Sequence, residues 1–148
     1  MTKKIDRNYL EIASLNDLKE SKKPSKVCSI NLVEPADFQL NKFFYKNIGK
    51  KHHWVDRLVW TEKQWIDYTS DEKVKTYVLV NEENVAGYFE LIFYKDKKEI
   101  EIAYLGLLEE YYNKKFGSYL LSSAIKFAFF NKPKRVWVHT CSLDHQNA

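Results

Sequence analysis

Apolar residues along this chain recur at two spacings, and the alternating one predicts strands. Three stretches rich in β-branched and aromatic residues, 76–80, 85–94 and 99–107, are separated only by short polar segments. The separators, Asn81-Glu82-Glu83-Asn84 and Lys95-Asp96-Lys97-Lys98, suit hairpin loops, so the three strands are expected to form an antiparallel meander. Residues 27–33 and 135–141 have the same β character and predict one strand on each side of this group.

Helical spacing marks three other stretches of the chain. Residues 35–48 carry apolar side chains on one helical face, with Pro35 expected in the first turn and Gly49 at the end. Thr61 is expected to cap a second helix that contains Trp65 and Tyr68, and residues 115–131 form a third that ends before Pro133. The predicted order is therefore β-αα-βββ-α-β.

Size and composition favour one domain over two. The chain has 148 residues, 45% of them hydrophobic, with only four glycines and three prolines. We expect a single domain over residues 1–148, in which 27–148 form the core and 1–26 are an N-terminal extension with room for an extra strand. Cys28 and Cys141 lie far apart and are expected to be buried thiols in a reducing cytoplasm, and no signal peptide or membrane span is visible.

The net charge of +4 arises from basic and acidic residues spread along the chain. A nucleic-acid-binding protein usually has a denser basic stripe, so no nucleic-acid partner is expected. A mild positive bias favours an anionic small molecule instead. The two adjacent histidines, His52 and His53, are not spaced to bind one metal ion, and His139, Cys141 and His145 are expected to be strand and loop residues rather than ligands.

The junction between strand 99–107 and the third helix is suited to phosphate. The first amides of a helix have no partners within the helix, and they carry the positive end of its dipole. A pyrophosphate at this place accepts their hydrogen bonds. Lys114 and Lys115 add two positive charges there.

This junction resembles the signature of the GCN5-related N-acetyltransferases (GNAT), Gln/Arg-x-x-Gly-x-Gly/Ala. Gly117 aligns with its last position, whereas Tyr112 stands at the Gln/Arg position and Lys115 at the first glycine. The preceding strand, the order of elements and the following Ser118-Tyr119-Leu120-Leu121 agree with the family. The segments His53-Trp54-x-Asp56-Arg57-x-x-Trp60, Gly87-Tyr88-Phe89-Glu90-Leu91 and His139-Thr140-Cys141-Ser142-Leu143-Asp144-His145 resemble a bacterial subgroup, and the resemblance covers about residues 27–148.

The resemblance implies an α+β (three-layer) fold with a mixed, mostly antiparallel central sheet flanked by helices. In this family the strand corresponding to 99–107 diverges from its neighbour, and the pantetheine arm of acetyl-CoA pairs with its backbone as an added strand would. The backbone amide of Leu105 would then polarise the thioester carbonyl. Gly106 allows close approach or a bulge, or is simply a small residue under a helix. The implied cofactor-binding residues are Leu105, Gly106, Leu107, Tyr112, Asn113, Lys114, Lys115, Phe116, Gly117 and Ser118.

Acetyl transfer to an amine needs a base, because only the neutral amine attacks. By the same alignment Glu101 is the candidate base, on the strand face opposite Ile100 and Ile102. Two alternatives stay open: Glu101 is a solvated residue paired with a lysine, or Glu90 on the neighbouring strand acts directly or through a water. The sequence assigns no general acid.

The acceptor side of the site is expected at residues 52–60. Trp54, Arg57 and Trp60 could bind the apolar body or an acidic group of an amine substrate; alternatively, both tryptophans pack the first two helices against the sheet. In the family, a further helix and two strands follow and complete the sheet beside strand 135–141. The sequence stops before these elements, which predicts an exposed edge on strand 135–141. An incomplete sequence is the favoured explanation; a naturally short member and completion by another chain are the alternatives, and a homodimer is left open.

The predicted function is an acetyl-CoA-dependent N-acetyltransferase that modifies a primary amine of a small molecule or a protein by direct transfer in a ternary complex. The alternative is a non-catalytic acyl-CoA-binding or regulatory domain. A third hypothesis, a basic RNA-binding module, has less support from the charge distribution.

Overall fold

The computed structural model describes residues 7–14, 16, 18, 21–52 and 54–141, with the backbone alone for 7–10 and 139–141. The strands are β1 (Arg7–Ile12), β2 (Cys28–Leu32), β3 (Val74–Asn81), β4 (Asn84–Tyr94), β5 (Glu99–Leu107) and β6 (Arg135–Cys141). The helices are α1 (Phe38–His52), α2 (Glu62–Ser70) and α3 (Phe116–Phe129), and a 3-10 turn spans Glu109–Tyr111.

The strands form one six-stranded sheet in the order β1-β6-β5-β4-β3-β2. All neighbours are antiparallel except β5 and β6, which are parallel. Helix α3 covers one face of the sheet through a core that includes Phe89, Ile102 and Leu120. The other face meets α1 through Phe44, Ile48 and Tyr88, among others. The predicted mixed, mostly antiparallel sheet flanked by helices is confirmed.

Helix α1 differs from the prediction at both ends. It begins at Phe38 rather than at Pro35, because the Asp37 carboxylate caps it by accepting a hydrogen bond from the Gln39 amide at 3.1 Å. It also runs through Gly49 to His52. A Cβ atom at Gly49 would lie 2.5 Å from the Cβ of Trp54, so this glycine makes room for the tryptophan and does not end the helix.

Helix α2 begins as the sequence predicts. The Thr61 hydroxyl accepts a hydrogen bond from the Gln64 amide at 3.2 Å, and the Gln64 side chain accepts one from the Thr61 amide at 2.8 Å. This reciprocal capping box satisfies two amides that would otherwise lack a partner. The thiol of Cys28 is buried, also as expected.

The expectation of an exposed β6 edge is wrong, because β1 covers it. The two strands pair antiparallel from Arg7↔Cys141 to Ile12↔Val136. Arg135 joins three strands by forming ion pairs with Glu11 on β1 and with Glu99 on β5, the latter at 3.0 Å. Ser21, between β1 and β2, contacts α3, because its amide donates a hydrogen bond to the Ser122 hydroxyl at 3.4 Å. Across the described part of the chain, every helix is too short or too polar to cross a bilayer.

Candidate functional site

The most open feature of the sheet is the gap between β5 and β6. The two strands pair only at Glu99↔Arg135, Ile100↔Val136 and Glu101↔Trp137. Strand β5 continues to Leu107 and β6 to Cys141, but no further pair joins the described parts of the two strands. The result is a cleft whose closed end is at Glu101 and Trp137.

Backbone polar groups of β5 face this cleft. The Leu108 amide donates a hydrogen bond to the Ala86 carbonyl at 2.8 Å, so its N–H points toward β4. Because successive residues of a strand direct their N–H groups to opposite sides, those of Tyr104 and Gly106 also point toward β4. The amide and carbonyl groups of Leu105 and Leu107 therefore point toward the cleft. Their side chains pack against the core under α3.

A β-bulge lies where the pairing of β5 with β6 stops. Glu90 is paired with Tyr104 and Leu91 with Ile102, so Ala103 is an extra residue in β5. A bulge bends the strand that contains it, which accounts for the divergence of β5 from β6. The hypothesis of a bulge at Gly106 is wrong, since Gly106 is paired regularly with Tyr88. The alternative of a small residue under a helix fits instead, because a Cβ at Gly106 would lie 2.6 Å from Cγ2 of Ile48 on α1.

The turn between β5 and α3 presents helix amides that no side chain of the described residues caps. Asn113 and Lys115 adopt left-handed backbone conformations, with φ of 60° and 68°. Lys115 is the N-cap of α3, and no side chain caps the helix there. Lys115 stands at the first glycine of the GNAT signature, and its backbone adopts the conformation that glycine adopts most easily. Asn113, Lys114, Lys115 and Ser118 are exposed, whereas Phe116 is buried and holds the start of the helix on the core.

Tyr112, at the Gln/Arg position of the signature, has its side chain directed toward α1. Its hydroxyl is hydrogen-bonded to Nε2 of His52 at 3.1 Å, and partial burial raises the pKa of Tyr112. Lys51 forms an ion pair with Glu109 beside it. These contacts attach the end of α1 to the turn. Because the Tyr112 side chain is engaged by His52, Tyr112 would contact a ligand in the turn through its backbone.

Glu101 lies at the closed end of the cleft, on the sheet face that carries α1 and α2. Its side chain is buried, with 8% exposed, so it is not the solvated residue that one hypothesis expected. The Tyr94 hydroxyl donates a hydrogen bond to Oε1 of Glu101 at 2.8 Å. Burial, this hydrogen bond and the charge of Glu101 together raise the pKa of Tyr94 to about 12.

Glu90 is fully buried and its carboxylate is saturated with donors. Oε1 accepts hydrogen bonds from Tyr68 at 2.6 Å and Arg57 at 3.0 Å, and Oε2 accepts them from Asn41 at 2.8 Å and Arg57 at 3.2 Å. A carboxylate has about four lone-pair sites, so this arrangement leaves none for a substrate proton. The surroundings of Glu90 therefore oppose the hypothesis that it acts as the base.

Arg57 is enclosed by aromatic rings and exposes only 6% of its surface. Its guanidinium carbon lies 4.1 Å from the ring centroid of Tyr68, 4.2 Å from that of Tyr104 and 4.7 Å from that of Trp60. Burial alone would lower the pKa of Arg57, but the adjacent Glu90 carboxylate raises it above its ordinary value. Arg57 is thus committed to Glu90, and its surroundings oppose the hypothesis that it binds an acidic group of a substrate.

Trp54 and Trp60 combine packing with partial exposure. Trp54 packs on Tyr104 with ring centroids 4.8 Å apart, and Trp60 packs on Trp65 at 4.9 Å. Both tryptophans do attach the segment between α1 and α2 to its surroundings, as the packing hypothesis holds, yet both stay partly exposed. The sequence hypotheses did not include Tyr104, which contacts Trp54 and Arg57, because a tyrosine in a strand has no local signal that marks it.

Several residues considered from the sequence lie outside the described parts of the chain. These are His53 and His145, together with the side chains of His139 and Cys141. Within the described residues, no group of three or more His, Cys, Asp or Glu side chains is placed to hold a metal ion.

Solved structures with related folds include acetyltransferases. A GCN5-related N-acetyltransferase from Sphaerobacter thermophilus superimposes with a TM-score of 0.69 at 12% identity over 97% of this chain, which spans 44% of that protein. The aminoglycoside acetyltransferase meta-AAC0020 from an uncultured soil metagenomic sample gives a TM-score of 0.64 at 12% identity, with 78% of this chain and 79% of that one covered. At such identities the likeness establishes the fold.

A third similar structure is a functionally unknown conserved protein from Staphylococcus epidermidis, with a TM-score of 0.58 and 18% identity over 97% of this chain and 53% of that one. No curated protein matches the chain in sequence. The sequence model of the Acetyltransferase (GNAT) family matches residues 38–148, which include α1, the cleft and the turn before α3. The chain therefore belongs to the GNAT acetyltransferase family.

Proposed function

We propose that this protein is an acetyl-CoA-dependent N-acetyltransferase that modifies a primary amine of a small molecule or a protein by direct transfer in a ternary complex. The observation that carries the proposal is the open backbone edge of Leu105 and Leu107, which leads directly to the uncapped start of α3. An extended chain can add to the first feature and a pyrophosphate to the second. Pantetheine pyrophosphate combines these two shapes in one molecule.

The residues present fit this molecule in both shape and charge. The amides at the start of α3, from Phe116 to Ser118, would hold the pyrophosphate, and Lys114 and Lys115 would add positive charge. The backbone of Leu105 and Leu107 would hold the pantetheine arm. Acetyl-CoA, when bound, supplies an acetyl thioester; the Leu105 amide would donate a hydrogen bond to its carbonyl oxygen.

Glu101 is the proposed base. It lies four residues before Leu105 on the same strand, a separation of roughly 13 Å at about 3.3 Å per residue, shortened by the bulge. A glutamate side chain does not bridge that distance alone, so Glu101 would accept the amine proton through water. Tyr94 orients the carboxylate by donating to Oε1.

A thermal-shift titration tests the binding half of this proposal. Acetyl-CoA at about 100 times its Kd should stabilise the protein by about 2.7 kcal/mol and raise Tm. ADP is the matched control, because it has a pyrophosphate but no pantetheine arm to pair with Leu105 and Leu107, and it should give a smaller shift. Absence of any shift with millimolar acetyl-CoA would refute the proposal.

Acetyl transfer is measured separately, by mass spectrometry of amines incubated with the protein and acetyl-CoA. Acetylated product that depends on the protein supports the enzyme. Tight binding of acetyl-CoA without transfer to any amine of a broad panel would favour the non-catalytic acyl-CoA-binding domain instead.

A further inference from the structure

We infer that the acceptor is a monoamine with an apolar body, such as an arylalkylamine, rather than a polycation. The inference rests on the proposed function and concerns the acceptor side of the same site. It is carried by the segment that joins α1 to α2, residues 54–61, which we call the acceptor loop.

The acceptor loop is attached to β5 next to the proposed reaction centre. Trp54 and Arg57, both in the loop, pack on the ring of Tyr104 at 4.8 Å and 4.2 Å. Tyr104 directly precedes Leu105, whose amide faces the cleft. The loop is therefore held close to the point at which the acetyl group would be presented.

The buried charges behind the acceptor loop neutralise each other. Arg57 and Glu90 form an ion pair at 3.0 Å, with 7% and 0% of their side chains exposed. Asn41 and Tyr68 occupy the remaining positions on the Glu90 carboxylate. Neither charge is presented to a ligand. The Glu90 carboxylate, which could otherwise attract a further ammonium group of a substrate, is therefore already paired.

Most of the exposed side chains of the acceptor loop are apolar. Val55, Leu58 and Val59 expose 60%, 53% and 84% of their surface. Three exposed aliphatic side chains within five residues offer contact to an apolar substrate body. Trp54 and Trp60 add partly exposed aromatic surface to the same loop.

The charges that remain on this side favour a single ammonium. Asp56 is the one acidic residue of the acceptor loop, and it is exposed. The preceding helix ends in Lys50, Lys51 and His52, of which Lys51 is paired with Glu109. Asp56, Glu62 at the start of α2 and the basic end of α1 leave little net negative charge outside the proposed base, so one ammonium is accommodated more readily than the several of a polyamine or an aminoglycoside.

The test compares 2-phenylethylamine with spermidine at saturating acetyl-CoA and low ionic strength. The expected result is a kcat/KM at least tenfold higher for 2-phenylethylamine. Val59→Asp should lower this preference by raising KM for 2-phenylethylamine, whereas the added carboxylate should lower KM for spermidine. Val27→Asp is the matched control, since Val27 is 55% exposed and lies beside β2 at the far edge of the sheet; it should leave the preference unchanged.

A kcat/KM for spermidine equal to or above that for 2-phenylethylamine would overturn the inference while leaving the acetyltransferase proposal intact. If neither amine is acetylated, calorimetric titration of each amine decides. Tighter binding of 2-phenylethylamine supports the inference, and equal or tighter binding of spermidine, or no binding of either, overturns it. Failure of acetyl-CoA itself to bind is detected independently by the thermal shift.

Discussion

Glu101 and Trp137 form the last pair between β5 and β6, and Tyr94 contacts both of them. The Tyr94 hydroxyl donates a hydrogen bond to Glu101 at 2.8 Å, and its ring stacks on Trp137 with centroids 6.3 Å apart. One tyrosine thus holds the closed end of the cleft together and orients the carboxylate there. Glu101, the proposed base, therefore lies where β5 and β6 begin to diverge.

Replacing Glu101 by Gln should lower kcat by about 10²–10⁴-fold, because the amine loses its proton acceptor. The Kd for acetyl-CoA should stay within about twofold, because in the proposal the cofactor is held by the backbone of β5 and the α3 turn. Steady-state kinetics and a binding titration measure the two quantities. Glu99→Gln is the control on the same strand face and should keep kcat within about twofold. Wild-type kcat in Glu101→Gln would remove Glu101 from the mechanism.

Breaking the Arg57–Glu90 pair from one side should destabilise the protein strongly. Arg57→Met or Glu90→Gln should each lower the free energy of unfolding by about 3–5 kcal/mol, because each leaves a buried polar group without its partner. The double variant should lose less than the sum of the two, which urea denaturation of all four proteins would show. Lys63→Met, which breaks an exposed pair with Asp67, should cost under about 0.5 kcal/mol. Additive effects of Arg57→Met and Glu90→Gln would mean that the pair is not coupled.

Lys115→Gly should stabilise the protein by up to about 2.5 kcal/mol. The change relieves a left-handed residue at φ 68°, a strain of about 1–3 kcal/mol, and this outweighs an entropic cost of about 0.5–1 kcal/mol. Lys114→Gly removes the same charge from a residue without a positive φ, so it should destabilise instead. Chemical denaturation of both variants checks the sign. Equal destabilisation by the two changes would show that Lys115 carries no strain.

Gly106→Ala should destabilise the protein by about 1–3 kcal/mol, because the new Cβ would overpack the contact with Ile48. A Cβ at residue 106 would lie 2.6 Å from Cγ2 of Ile48, which is too short for two carbon atoms. Gly117→Ala is the control: its Cβ would come no closer than 3.8 Å to Leu107, and alanine favours the helix. Thermal unfolding distinguishes them. A Gly106→Ala protein as stable as wild type would mean that α1 is free to move away from β5.

Elements with strong local signals could be predicted closely from the sequence. The bounds of β5 and β6 agree with the predicted strands, and Thr61 caps α2 as expected. Gly49 shows the limit of such signals. A glycine near the end of a predicted helix can either end the helix or make room for a neighbouring side chain. Only the position of Trp54 distinguishes the two.

The candidate site also has parts that could be predicted from the sequence and parts that could not. The strand, the turn and the helix start that would hold a pyrophosphate are contiguous in sequence, so their chemistry could be predicted together. Other features of the site depend on residues that folding brings together from α1, the acceptor loop, β4 and β5. These features are the bulge at Ala103, the burial of Arg57 against Glu90 and the packing of Arg57 on the ring of Tyr104. No spacing along the chain encodes those distances.

By itself the sequence determined the order of the core elements and the resemblance to the acetyltransferases, because periodicity, caps and motifs act over a few neighbouring residues. The tertiary structure alone decided that β1 covers the edge of β6, and that the one arginine of the acceptor loop is neutralised inside the protein. Strand pairing and buried ion pairs are selected by the free energy of the whole fold. Both kinds of contact join residues that are far apart in sequence. The sequence therefore does not reveal which residues pair, and only the folded structure does.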